Sequence, residues 1–187
     1  LVVAAMEGGL EPTHIRTQRI NALGEPLTPP QDIIELTGSA SRVRLIATSD
    51  GVLLGWFETE NNAPSHQHVR MILQPLDRDD RPTTNEVRYT PRFAYRDAGW
   101  SLARWNEQIL AAFVEPLEND SYGDASKVVF QRFADDGTAN GSAIELCEKR
   151  FARDVLIRTT PIGATLVFGA YPGDFSHELF AGAVLCQ

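Results

Sequence analysis

Apolar residues along this chain fall in short runs of strand length, and the runs recur at a fixed spacing. Val52-Leu53-Leu54-Gly55-Trp56-Phe57-Glu58, Ile109-Leu110-Ala111-Ala112-Phe113-Val114-Glu115 and Thr165-Leu166-Val167-Phe168-Gly169-Ala170-Tyr171 match one another, with starts at positions 52, 109 and 165. The period is about 56 residues, within the range of known structural repeats. Leu1-Val2-Val3-Ala4-Ala5-Met6-Glu7 reads as an earlier copy, set slightly closer to the next. A second anchor keeps the period independently. Gln18-Arg19-Ile20, Gln74-Pro75-Leu76 and Gln131-Arg132-Phe133 each lead into a polar turn, and their glutamines keep the same spacing. One further period reaches Gln187, where Val184-Leu185-Cys186-Gln187 matches Val128-Val129-Phe130-Gln131. Two anchors with one period mark a repeat protein.

Each repeat reads as four strands, a to d. In the third, strand a covers 128–134 and ends in the Asp135-Asp136-Gly137 turn, a hairpin signal because glycine accepts a positive φ. Strand b follows near 143–147 and strand c near 154–159. The Pro161-Ile162-Gly163 turn then leads to strand d at 165–171. The c–d turn is Ser49-Asp50-Gly51 in the first repeat and Asn106-Glu107-Gln108, a weaker signal, in the second. In the second repeat Asp80 stands in the place of the a–b turn glycine and Pro75 in the place of arginine, which argues less clearly for a turn there. Residues 101–113 can be forced into helical spacing, but their counterparts carry β-branched residues and turn signals, so strand is expected.

Four short antiparallel strands cannot bury two faces alone, and radial stacking of such sheets makes a propeller. The expected fold is therefore all-β, a β-propeller-like array of four-stranded antiparallel blades, with a β-sandwich or barrel as the alternative. The repeats run at about 14–66, 67–126 and 127–176, with partial repeats at 1–13 and 177–187, in one domain spanning 1–187. Three repeats are fewer than the usual 4–8 blades. The chain then belongs to a longer propeller, or copies complete one another, or the terminal a and d strands pair in a reduced fourth blade.

Composition narrows the classes. The chain has 187 residues, 43% of them hydrophobic and 22% charged, enough to bury a core. A formal charge of -8 argues against nucleic acid and against docking on anionic lipid. No run reaches the ~18–20 apolar residues of a membrane span. Residues 1–6 lack the basic lead and cleavage pattern of a signal peptide, and the missing initiator methionine implies residues upstream.

The a-strand ending in Gln-Arg-aromatic and Asp-Asp-Gly, followed by a d-strand of the Val-Leu-Leu-Gly-Trp-Phe-Glu type, resembles the blade repeats of bacterial secreted and cell-surface β-propeller proteins. The resemblance spans nearly all of the chain and is specific to an architecture. It implies an extracytoplasmic protein that binds, scaffolds or displays.

Candidate chemistry is sparse. His66 and His68 flank one residue and would share a strand face, as metal ligands or as part of a binding surface. The ordinary reading is a surface histidine, and His14 and His177 sit at comparable places before strand a. Asp77, Asp79, Asp80 and Glu86 form one oxygen-rich stretch, and Asp120 and Asp124 another, where calcium is the one cofactor to consider. Neither matches the EF-hand spacing, and acidic turns are ordinary. Cys147 and Cys186 lie on neighbouring repeats and would form a disulfide or remain two buried thiols. Trp105 adjoins a turn and is the tryptophan expected to reach a sugar-binding surface, whereas Trp56 reads as core. No nucleophile elbow or papain-like cysteine is present. The expected function is a non-catalytic binding or scaffold module that contacts a protein partner or glycan through blade-end loops. Alternatives are a propeller glycoside hydrolase using blade-end carboxylates, and a structural subunit that completes a ring with other copies.

Overall fold

The computed structural model describes residues 2–7, 14–36, 39–59, 69–83, 87–89, 99–116, 126–149, 154–170 and 178–185. These carry fourteen strands and no helix: β1 (Val2–Glu7), β2 (His14–Arg19), β3 (Gln31–Glu35), β4 (Ser39–Ala47), β5 (Gly51–Thr59), β6 (Val69–Asp77), β7 (Val87–Tyr89), β8 (Trp100–Trp105), β9 (Gln108–Pro116), β10 (Ser126–Phe133), β11 (Ile144–Lys149), β12 (Val155–Thr160), β13 (Gly163–Ala170) and β14 (Glu178–Leu185). Among them no helix is long and apolar enough to cross a membrane.

The strands form four antiparallel sheets: β1-β2-β3, β4-β5-β6-β7, β8-β9-β10-β11 and β12-β13-β14. Each full sheet therefore groups the strands in the order c, d, a, b. The repeat period is the same however the sequence is cut, but the hydrogen-bonded blade begins at strand c. The first sheet has d, a and b, and the last has c, d and a. Strands β1 and β14 lie in different sheets, so the terminal strands do not share a reduced blade. The sheets pack in chain order, with β1 against β4, β4 against β8, and β8 and β9 against β12. Strands β4, β8 and β12 thus form the inner edges along which successive blades meet. This is a propeller-like array and not the two facing layers of a sandwich.

Three apolar clusters fill the gaps between blades. Leu54, Trp56 and Ile72 face the first blade and meet Ile15 with Ala4 and Met6. Leu53, Phe57, Met71 and Leu73 point the other way and meet Trp100, Ile109, Ala111 and Phe113. Leu110, Ala112, Val114 and Phe130 then face Val155, Ile157, Leu166 and Phe168 of the last blade. Successive strand residues point to opposite faces. A strand buried on both faces must therefore be apolar throughout, which is why strand d of the second and third blades reads as an unbroken apolar run. The end blades are buried on one face only. Val3 is 39% exposed, and Leu156 beside Arg158 is 45% exposed.

The recurrent glutamine is a backbone anchor. Gln18 donates to the Thr28 carbonyl at 2.9 Å, and Gln131 donates to those of Gly141 at 3.1 Å and Arg132 at 2.7 Å. Gln74 donates to the Pro75 carbonyl at 3.0 Å. Gln74 and Gln131 are buried, where an unpaired side-chain amide is costly.

Register corrects the fourth glutamine. Gln18, Gln74 and Gln131 stand opposite Val3, Leu54 and Ala111 on strand d. In the last blade, Ala164, Leu166 and Phe168 share the face that Ile109, Ala111 and Phe113 occupy in the third. Leu166 therefore corresponds to Ala111, and its partner is Gly182. The position belongs to Gly182 and not to Gln187, which lies outside the described residues. The d-strand match slips by one with it, so that Thr165 answers to Leu110. A one-residue slip exchanges the two faces of a strand, and the clusters fix which is correct.

The a–b turn of the second blade also departs from expectation. Gly24 N–H donates to Asn21, Asp80 N–H to Asp77 and Gly137 N–H to Ala134, at 3.1, 3.0 and 3.0 Å. The three turns are alike, with φ of 83°, 64° and 82° at the third residue of each loop. Aspartate tolerates this left-handed conformation better than most residues. Its side chain is held by Arg19 of the first blade, whose Nε and Nη2 donate at 2.8 and 3.1 Å. The missing glycine is thus replaced by an inter-blade ion pair.

Candidate functional site

One end of the blades carries the c–d and a–b turns, and polar side chains there stitch blade to blade. Arg19 and Asp80 join the first two. Between the second and third, Arg104 on β8 donates from Nη1 to the Ala47 carbonyl at 2.9 Å and from Nη2 to Asp135 Oδ2 at 3.0 Å. The same Oδ2 accepts the Ser49 N–H at 2.9 Å and its hydroxyl at 2.8 Å. Between the third and fourth, Trp105 Nε1 donates to the Thr160 carbonyl at 3.0 Å. The tryptophan expected to reach a sugar is therefore half-buried and spends its N–H on the next blade.

Burial works against the charge on Asp135, but both Ser49 donors and the Arg104 guanidinium outweigh it and hold the carboxyl below the ordinary aspartate range. A depressed folded-state value means that the carboxylate contributes stability above the unfolded value of about 3.9, and that this is lost as pH falls through the folded value. The deficit of an Asp135→Asn variant is accordingly expected to be constant between neutral pH and about 5, and to shrink below about 4. Urea unfolding of both proteins across that range checks this. A deficit that does not change with pH would sink it.

Two of the carboxylates considered for calcium, Asp77 and Asp80, are engaged within the fold. Asp77 Oδ1 accepts the N–H groups of Asp79 and Arg81 at 2.8 and 2.9 Å. These bonds, led by the one from Arg81, hold its carboxyl below its usual range. Asn21 does the same in the first blade with the N–H groups of Leu23 and Glu25. The acidic turn is thus a capped turn, and Asp80 is the partner of Arg19. Asp79 stays at the exposed tip. Among the described residues no three of His, Cys, Asp and Glu come together as metal ligands. Asp120, Asp124, Glu86, His66, His68, His177 and Cys186 lie outside the described residues, as does the side chain of Cys147, so the disulfide does too.

A pair of carboxylates that sequence reading missed does meet on the third blade. Lys127 approaches Glu115 Oε2 at 3.7 Å and bonds Glu145. Both acids share one ammonium and sit on β9 and β11, away from the inner edge. No spacing rule signals them, because cross-strand register brings them together.

The inner strands are of the opposite sign. β4 carries Arg42 and Arg44, β8 carries Arg104 and β12 carries Arg158, and none of the three holds an Asp or Glu. Arg104 is neutralised by Asp135, while Arg158 is exposed. An acidic protein therefore presents cations along its inner edge.

No family model matches the chain, and no curated protein does either. Among solved structures, a thermostable family-43 glycoside hydrolase aligns over 95% of this chain and 70% of that one, with a TM-score of 0.55 and 10% identity. That family has a five-bladed β-propeller fold. At this identity the likeness is one of fold, and this chain is a propeller-like array of antiparallel blades.

Proposed function

We propose that the chain is a non-catalytic, glycan-binding part of an extracytoplasmic propeller protein of the bacterial surface-repeat kind. The observation that carries this reading is the inner edge. A glycosidase needs two carboxyl groups ~5–10 Å apart flanking the scissile bond, and β4, β8 and β12 supply arginines and no acid. Among the described residues, Glu115 on β9 and Glu145 on β11 are tied to Lys127, and neither lies on an inner strand. The fold likeness to a glycoside hydrolase favours a saccharide over a protein as the ligand.

The same likeness supports a second reading, a propeller glycoside hydrolase. Its acids would come from the connections between β5 and β6 or β9 and β10, which include Glu118, Asp120 and Asp124. Incubation of the chain with a panel of neutral and acidic oligosaccharides separates the two. Calorimetry reads binding, and a reducing-end assay reads cleavage. Heat without new reducing ends is the expected result. New reducing ends would replace the first reading with the second, and silence in both assays would reject a glycan ligand.

A further inference from the structure

We infer that the first blade is completed by strand addition: the free edge of β1, with the cavity beside it, receives an extended polypeptide strand of the kind that β4, β8 and β12 provide in the other blades. The occupant is a protein strand, and the inference stands apart from the glycan reading. Among the described strands β1 pairs with β2 alone, whereas β5, β9 and β13 each lie between two neighbours. Every blade but the first therefore has an inner strand laid on strand d. An unpaired strand edge is a row of open N–H and C=O groups, a template on which another strand can add.

Register states what that strand must carry. Leu45, Leu102 and Ile157 pair with Leu54, Ala111 and Leu166, the places that Val3 holds on β1. Two residues further along strand d stand Trp56, Phe113 and Phe168, where β1 has Ala5. Trp100 and Val155 pair with Phe113 and Phe168. Opposite Trp56 the inner strand is irregular, because Ser41 pairs with Phe57 and Arg44 with Gly55, so that Arg42 and Val43 together oppose one residue. This is a β-bulge. Arg42 takes the left-handed conformation there, with φ of 55°, and its carbonyl accepts the Trp100 indole N–H at 2.9 Å. Val43 still joins the apolar cluster. Each inner strand thus brings two apolar side chains to the face that meets the preceding blade: Val43 and Leu45, Trp100 and Leu102, Val155 and Ile157.

The first blade has the receiving surface. Its strand d offers Val3, 39% exposed, and the small Ala5 where the next two blades have Trp56 and Phe113. Both line a cavity of about 310 Å³, together with Arg16, Gln18 and Pro30. Small side chains on β1 leave room that two large apolar side chains on an added strand would fill. Arg16 is paired with Asp32, so its charge does not oppose an apolar neighbour. A second copy of the chain has no such strand to spare among the fourteen, because β4, β8 and β12 are each paired with their own strand d. The five-bladed structure of like fold is covered to 70% by this chain, which leaves in it strands beyond those matched here.

The test adds to the whole chain a synthetic peptide with the sequence of residues 154–160, which includes β12, and follows amide hydrogen exchange along Val2–Glu7. In the chain alone, the β1 amides that point away from β2 should exchange fast and those that face β2 slowly. The peptide should protect the fast set, with its Ile157 opposite Val3 and its Val155 opposite Ala5. A peptide carrying Ile157→Asp should bind about tenfold more weakly or worse, since the register sets an unpaired charge on the apolar face. Val3→Lys in the chain should weaken the original peptide in the same way, and thermal unfolding confirms that this variant, altered on an open face, is folded. If all β1 amides are protected in the chain alone, the edge is already covered and the inference falls. A dimeric mass by light scattering would then give the edge to a second copy. The inference also falls if the peptide brings no protection, or if Ile157→Asp and Val3→Lys leave that protection unchanged.

Discussion

Replacing Trp100 with alanine is expected to cost about 3–5 kcal/mol of folding stability, the range seen when a large buried aromatic is deleted and the cavity stays open. The residue is 1% exposed and spans two blades, resting against Phe57 while it belongs to β8. Gly55 makes room for it, since a Cβ there would stand 2.6 Å from Trp100 Cη2. The indole N–H is also the tie on the Arg42 carbonyl. The change therefore removes packing, a buried hydrogen bond and the restraint on a left-handed residue together. Typical domains have only about 5–15 kcal/mol to lose, so the variant should sit near the unfolding threshold. Urea denaturation gives the number. Trp100→Phe separates the contributions, because it keeps most of the ring contact and loses the tie. If Trp100→Ala lowers stability by less than about 1 kcal/mol, the second and third blades do not pack around this side chain as described.

Gly51→Ala is the second large effect, with an expected cost of about 3 kcal/mol, at or above the usual upper limit for forcing extra volume into a packed site. A Cβ on Gly51 would lie 2.0 Å from the Leu76 carbonyl oxygen and 2.8 Å from the carbonyl carbon of Asp77. Backbone cannot rotate away as a side chain does, so β5 and β6 must separate where Gly51 pairs with Asp77. The amide of Asp77 in the neighbouring turn should exchange faster with solvent, and the denaturation midpoint should fall. A variant with wild-type stability and exchange would show that the two strands do not approach so closely.

Both sites illustrate what a sequence states and what it withholds. The d-strands could be read directly, because a strand buried on both faces has to be apolar at every position. Turns could be read where glycine stood, at Gly24 and Gly137. The turn at Asp80 gave a weaker signal, because what stands in for glycine there is a partner, Arg19, sixty-one residues away. The aspartates around it suggested a cation, yet Asp77 is occupied by backbone N–H groups and Asp80 by a guanidinium. Trp105 looked like a surface tryptophan because it adjoins a turn, and the next blade turned out to hold its N–H. The inner-edge arginines attracted no notice, since nothing in a list of residues says which strand of a repeat faces inward.

The sequence alone determined the strand content, the repeat period and the recurring glutamine, because these follow from local alternation and from identical demands made in each repeat. Tertiary structure decided the rest. A period has no phase, so only the hydrogen-bonded ladders could show that a blade runs c, d, a, b and that the described strands make four sheets. The one-residue shift in the last blade follows from side chains on alternate faces of β13, whose buried set had to meet the third blade. The bulge at Arg42 depends on an indole delivered from another blade. Contacts between residues far apart in the chain leave no local pattern, and they fix where the arginines of the inner strands stand.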